Sequence, residues 1–417
     1  MTPQNRGAVG DPPRSDRVIA VCPVLPYPPI GGGHKRTLRL LEAIARAGGV
    51  PHILTNDPGQ PGAADELRSR GWFVDIIEET PQRLPTRIRQ HVERRPSPVL
   101  PRTRARLAEL APQAAFVQFE SPQSAYYWDG VNGSKVVLST QNVDSELLAT
   151  VARSMPPLSV GRLRYANRSL SMRSVERRAA RRADAVLCVS DHDQRYFERF
   201  SHTVLNVPNG VDSELFDIDP VLPDSEDVVF IGQLDYAPNE IGLLRFLRDG
   251  WPIVREARPR ARLLLAGKGM HGVLEREARA ADRVEPLGVV RDVRELLEQS
   301  RLVVSPLWQG GGTHLKVLEG MAAARPVVIT PRSAHGLGFE DGVHGTLGST
   351  PSDLGHLAVE LLGDRRRSEE LARAGRELAE SYRWERTTEQ AESLYRDWLT
   401  NPADAGAPPA FCASTSA

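Results

Sequence analysis

The chain has 417 residues, and its 53 lysine and arginine side chains balance 53 aspartates and glutamates to a formal net charge of zero. That balance argues against a nucleic-acid binder, which carries a basic excess to neutralise phosphates, and against an acidic solvating protein. With 40% hydrophobic and 25% charged residues the composition is that of a soluble protein of two or three domains.

Residues 1–16 are polar and proline-rich and read as disordered, without a signal peptide's apolar segment. From residue 17 onward, short runs of Val, Ile and Leu alternate with longer stretches of helical period. Strands are predicted over 17–22, 50–55, 72–77, 114–119, 135–139, 185–190 and 203–207. Two stretches between them, 83–106 and 162–182, each hold eight arginines and one glutamate. The second reads as a long helix with a partial apolar stripe of Leu163, Leu170, Met172 and Val175; such a face either meets solvent or rests peripherally on anionic lipid.

The aperiodic segment 206–226, rich in Pro, Asp and Asn, separates a first unit, 17–205, from a second, 206–382. Charge changes sign there: residues 1–205 carry 29 basic and 20 acidic side chains, the remainder 24 and 33. Strands of the second unit are predicted over 227–232, 261–266, 301–305 and 325–330. A last helical stretch, 383–400, carries Trp384, Leu394, Tyr395 and Trp398 and is expected to cross back onto the first unit, followed by a disordered tail over 401–417. Apolar runs without strict alternation fit strands covered on both faces. The expected fold class is therefore α/β, with two Rossmann-like doubly wound domains and the ligand cleft at the strand C-termini.

No apolar run approaches the ~18 residues of a membrane-spanning helix, so a cytoplasmic location is expected. Cys22 and Cys188 lie in apolar runs and Cys412 in the tail, with no metal or redox spacing. The histidines show no zinc pattern, and Asp191 with Asp193 reads as a helix N-terminus. Neither a metal nor a cofactor is expected. Only four of the basic residues are lysines: Lys35, Lys135, Lys268 and Lys316.

The most informative segment is SPLWQGGGTHLKVLEGMAAARPVV, residues 305–328. It reads strand, glycine loop, helix, strand, and delivers free amides at a helix start, which is an anion site. Lys316 lies within reach of a phosphate there. Glu319, one turn on and on the same face, suits the two hydroxyls of a ribose. Alone, these residues also describe a glycine turn with a Lys–Glu surface pair; their combined spacing favours the ligand site.

Several blocks stand in order along the chain: YPPIGGGHKRTLRLLEAIARAG, QNVDSELL, ADAVLCVSDHD, VPNGVD, DVVFIGQLDYAPN, LLLAGKG, LGVVRDV and GGGTHLKVLEGMAAARPVV. From residue 17 to about 398 the chain resembles the family 4 glycosyltransferases of GT-B fold, especially a bacterial branch tied to polysaccharide or secondary-metabolite assembly. The resemblance implies transfer of a sugar from a nucleotide diphosphate donor to a hydroxyl acceptor, with retention of anomeric configuration and no metal. It implies that Glu319 holds the donor ribose and that the amides of Gly312, Thr313, His314 and Leu315 cradle the diphosphate, with Gly232, Gln233, Lys268 and Val290 on the same wall.

Two departures concern charge. Gln233 and Asn239 stand where many relatives have an arginine and a lysine, so the cation must come from Lys316, aided by His314 or Lys268. Gly311 replaces a carboxylate that often supports a sugar hydroxyl. On the first unit, Gly31, Gly32 and Gly33 let the backbone approach the ligand closely, and Gln141, where relatives often have histidine, and Asn142 face the transferred sugar. Glu120 is the candidate partner for the acceptor hydroxyl. The catalytic set is then Lys316, Glu319 and Gln141. A nucleotide-sugar epimerase, a non-catalytic partner protein and a lipid-surface protein are the alternatives.

Overall fold

The computed structural model describes residues 16–29, 31–79, 100–124, 128, 131, 133–309 and 313–400. All eleven predicted strands form. The first sheet contains β1 (Arg17–Val21), β2 (Val50–Thr55), β3 (Phe73–Ile76), β4 (Phe116–Phe119), β5 (Lys135–Ser139), β6 (Ala185–Cys188) and β7 (Val204–Asn206). Their order is β3-β2-β1-β4-β5-β6-β7, parallel throughout. The second contains β8 (Val228–Ile231), β9 (Leu263–Ala266), β10 (Val284–Gly288), β11 (Leu302–Ser305), β12 (Val327–Ile329) and β13 (Thr346–Leu347). It is also parallel, in the order β10-β9-β8-β11-β12-β13.

Two of these strands lack a prediction. β10 carries Pro286 and no continuous apolar run, and it sits at a sheet edge where a missing N–H is tolerated. β13 is only two residues long. Both are edge strands, for which burial demands least of the sequence.

In each sheet the strand order reverses between two neighbours, β1 and β4 in the first, β8 and β11 in the second. A crevice opens at such a reversal, outside the strand C-termini. The loop after β1 therefore leads into the helix Gly32–Arg46, and the loop after β11 into the helix Leu315–Ala322, at opposing crevices.

The stretch 383–400 forms two helices rather than one, Trp384–Thr387 and Glu389–Thr400, with the buried Thr388 at the break, its hydroxyl donating to the Trp384 carbonyl at 2.7 Å. The second of them places Ala391, Leu394, Tyr395 and Trp398 in the core of the first sheet, where Tyr395 stacks on Phe116 at 5.3 Å. The two crossings between sheets pair with each other: the Val211 amide donates to the Tyr382 carbonyl at 2.7 Å. Gly210 is required there, since a Cβ would lie 2.8 Å from Trp384 Cα.

The arginine-rich stretch 162–182 is part of the helix Val160–Arg182. Its Leu163 and Leu170 are exposed, while Met172 and Val175 are buried. Of the stretch 83–106, residues 83–99 lie outside the described residues, Leu100 precedes the helix Pro101–Leu110, and 101–106 belong to it. Ser190, rather than Asp191, caps the helix Asp191–Phe197, accepting from the Asp193 amide. Cys22 and Cys188 are buried free thiols.

Candidate active site

The two crevices face each other across a cavity of about 640 Å³. One wall carries Gly32, Gly33, Lys35, Gln141 and Asn142; the other carries Gly232, Gln233, Lys268, Val290, Thr313, His314, Leu315, Lys316 and Glu319. All but one of the described residues predicted for the site thus meet in one space; Gly312, with Gly310 and Gly311, lies outside the described residues.

The exception is Glu120. It is 3% exposed and does not line the cavity. Its carboxylate accepts from Thr37 Oγ1 at 3.2 Å and from Gln118 Nε2, and Gln118 in turn accepts from Tyr395 Oη at 2.6 Å. Burial pushes the Glu120 pKa up, against the opposing pull of Gln118 and the buried Arg36. A strand-end carboxylate can turn either into the cleft or under the adjacent helix; here it turns under, so it ties the first sheet to the C-terminal helix and does not face the cavity where an acceptor was expected.

Close approach explains the glycines. A Cβ on Gly33 would lie 2.6 Å from Gln141 Oε1, and one on Gly32 would lie 3.1 Å from Leu315 Cδ1, across the cleft. On the far wall, Gly267 has φ +148° and a Cβ there would be 1.7 Å from the Gly232 carbonyl oxygen. Thr313 reaches across to donate to the Val189 carbonyl at 3.2 Å.

Lys316 is buried. Its ammonium donates to Asn239 Oδ1 at 2.9 Å and lies 4.7 Å from the Phe230 ring centroid; Asn239 Nδ2 donates to the Gln233 carbonyl at 2.6 Å. The sequence departures at Gln233 and Asn239 thus close on Lys316, which brings its cation to Asn239 itself. Burial lowers its pKa to about 7, with Glu319 opposing. His314 fares differently: burial, then the charges of Lys316 and Arg332, push it down to about 3. It is a neutral imidazole near pH 7, so His314 supplies no positive charge and the sequence expectation that it aids Lys316 as a cation is corrected.

Glu319 is not empty-handed. Lys35, from the opposing wall, donates to Glu319 Oε1 at 2.6 Å and to Asp212 Oδ2 at 3.0 Å, while Arg39 Nη2 donates to Asp212 Oδ1 at 2.7 Å. Burial would lower the Lys35 pKa, but the two carboxylates outweigh it and hold the ammonium charged. Sequence reasoning missed Lys35, although a signal was present: three of the chain's four lysines, Lys35, Lys268 and Lys316, line this one cavity.

Asp144, two residues beyond Asn142, does not line the cavity but is a partly buried carboxyl behind its wall. Its pKa is pushed up to about 7, chiefly by burial and then by Glu176, while Tyr236 on the far wall is raised to about 12 chiefly by burial and then by Asp144. A carboxyl whose pKa is raised on folding stabilises the fold fully below the unfolded value, about 3.9, and loses that contribution as pH rises toward 7. Asp144→Asn should therefore melt at a higher temperature than the parent at pH 8, by up to about 4 kcal/mol of stability, with the gap vanishing near pH 4. Equal melting profiles of the two proteins at pH 8 would refute the burial argument.

Among the described residues, no group of three or more His, Cys, Asp or Glu side chains is placed to hold a metal ion, and no helix is long and apolar enough to cross a membrane.

The model of the Glycosyltransferase Family 4 domain matches residues 30–215, and that of the group 1 glycosyl transferases matches residues 225–364. No curated protein matches the chain in sequence. Solved structures resemble it over nearly their whole length. HepE of Anabaena, in complex with UDP-glucose, is 16% identical with a TM-score of 0.67, over 91% of this chain and 99% of the other. Sucrose-phosphate synthase from Thermosynechococcus elongatus is 20% identical with a TM-score of 0.64, over 92% and 99%. WaaG, a glycosyltransferase involved in lipopolysaccharide biosynthesis, is 16% identical with a TM-score of 0.63, over 91% and 99%. With one family model on each facing sheet and the two-sheet architecture shared throughout, the chain belongs to the family 4 glycosyltransferases of GT-B fold.

Proposed function

We propose that the protein transfers a sugar from a nucleotide diphosphate donor to a hydroxyl acceptor with retention of configuration and without a metal ion. The observation that carries the reading is the pairing, on one helix, of a buried lysine at its first turn and a carboxylate one turn later, both facing the cleft. HepE, of the same fold, binds UDP-glucose, so a uridine diphosphate sugar is the first donor to test.

In this reading the diphosphate lies at the start of the helix Leu315–Ala322, against its free amides and the Lys316 ammonium. As the bond from the anomeric carbon to the phosphate oxygen breaks, charge grows on that oxygen, and a fixed cation with oriented amides stabilises it more than the intact donor. The acceptor oxygen bonds to the anomeric carbon on the same face and its proton passes to the departing phosphate oxygen. Gln141 cannot serve as nucleophile or base near neutral pH; it orients the sugar by hydrogen bonding. Glu319 takes the ribose hydroxyls, exchanging Lys35 for them.

That exchange has a sign. Lys35→Met removes a competitor for Glu319, so UDP should bind about tenfold more tightly, the equivalent of ~1.4 kcal/mol, near the low end for a charged hydrogen bond. Weaker binding in the variant would make Lys35 a donor ligand instead. The whole reading is tested by incubating the purified protein with a panel of nucleotide sugars and acceptors. Nucleotide diphosphate release, coupled to a product whose anomeric proton shows the donor's configuration by NMR, is the expected result. Inverted product, or sugar isomerised without an acceptor as in an epimerase, would overturn it.

A further inference from the structure

Beside the donor cleft lies a second cavity of about 410 Å³, lined by the helices Asp144–Ser154, Val160–Arg182 and Asp191–Phe197 of the first unit and by Arg332 of the helix Pro331–Ala334. Asn142 lines both cavities. We propose that the second cavity holds an anionic group of the acceptor, a phosphate or a carboxylate, through Arg153, Arg173 and Arg332; the inference rests on the glycosyl-transfer reading above and names the chemical class of its acceptor.

Charge supports it first. Three guanidinium groups line this space against two carboxylates. Glu146 is already engaged by His192 Nε2 at 2.6 Å. Asp193 is 4% exposed, and its Ser190-capped helix holds it at the back of the space.

Geometry supports it independently. Nε of Arg173 is sealed from solvent without a hydrogen-bond partner. Keeping part of a charged guanidinium desolvated and unpaired is costly, and an oxyanion held elsewhere on the same guanidinium would offset that cost. Guanidinium is also the group whose planar fork matches phosphate or carboxylate oxygens. The walls are held in place. Glu176 accepts from the Ser145 amide at 2.9 Å, from Ser145 Oγ at 2.6 Å and from Tyr196 Oη at 2.9 Å, locking three helices together around the arginines.

Position supports it too. Arg153 and Arg173 belong to the first unit and Arg332 to the second, so an anion bound among them bridges both walls. Its hydroxyl-bearing part then extends past Asn142 toward Gln141 and the donor. The cavity is large enough for a phosphorylated or carboxylated sugar unit.

The test uses full-length protein saturated with UDP, so that the diphosphate site is filled, titrated calorimetrically with inorganic phosphate and, in a parallel arm, with malonate. One of these anions is expected to bind, with its Kd raised at least tenfold by Arg173→Leu and recovered in part by Arg173→Lys. A phosphate response assigns a phosphorylated acceptor, a malonate response a carboxylated one. UDP affinity, read in the same samples, should keep its parental value, which shows that the variants are folded. Failure of both anions to bind the UDP-loaded protein, or binding indifferent to Arg173→Leu, would overturn the proposal. Failure of the parent to bind UDP would instead count against the donor reading.

Discussion

Replacing Lys316 with methionine is expected to lower kcat for sugar transfer by about 10²–10³, the loss typical of removing one preorganised group from a developing oxyanion. Methionine retains the aliphatic volume inside the buried site and removes a charge that is costly to bury, so the variant should fold at least as well as the parent. The effect then reads as chemistry. It should fall on kcat more than on KM, because the interaction strengthens as the leaving oxygen gains charge.

The same lysine carries a pH signature. With its pKa near 7 in the unliganded site, Lys316 is largely neutral at pH 8.5. A bound diphosphate favours the ammonium, so binding above pH 7 takes up a proton, and affinity for UDP should fall as pH rises from 7 toward 9, by at most about tenfold per pH unit. Calorimetry in two buffers of different ionisation heat reads this uptake directly. The methionine variant should lack the part due to Lys316; an identical pH slope in both proteins would remove Lys316 from the diphosphate site.

The second large effect belongs to Glu319. Two ribose hydroxyls donating to one carboxylate amount to two charged hydrogen bonds of ~1.5–3 kcal/mol each. Glu319→Ala should therefore weaken donor binding by about 10²–10⁴. In contrast to Lys316, the loss should appear chiefly in KM and in the Kd of UDP, since ribose contacts change little as the glycosidic bond breaks. Part of the loss is offset because the parent must first give up its Lys35–Glu319 bond of 2.6 Å. The double variant Lys35→Met/Glu319→Ala should accordingly bind UDP no better than Glu319→Ala alone, as expected for groups that share one partner.

Much of this arrangement is legible in the residues. Fully buried parallel strands such as VVFI of β8 and LVVS of β11 need apolar side chains on both faces, and so they announce themselves. The helix that follows the glycine loop announces itself by the spacing of Lys316 and Glu319. What stays hidden is whatever depends on a partner distant in sequence. Glu120 looks like a cleft carboxylate until Gln118, Thr37 and the Tyr395 helix gather beneath the sheet to receive it. Lys35 looks like one more basic residue of an amphipathic helix until the second unit sets Glu319 against it, 284 positions away. The cation proposed for the diphosphate has the same cause: only the folded geometry separates Lys316, which titrates near neutrality, from the neutral His314 two residues before it.

The opposed walls also give the charge division a local meaning. The basic unit reaches into the cleft through Lys35, and the acidic unit answers with Glu319, with Asp212 in the connection between them. In the proposed reading a donor enters by opening that contact. The most direct test is a calorimetric titration of the parental protein and of Glu319→Ala with UDP under one set of conditions. Saturable one-to-one binding by the parent, weakened about a hundredfold or more in the variant, is the predicted result; equal affinities for UDP would contradict a donor site built on this carboxylate.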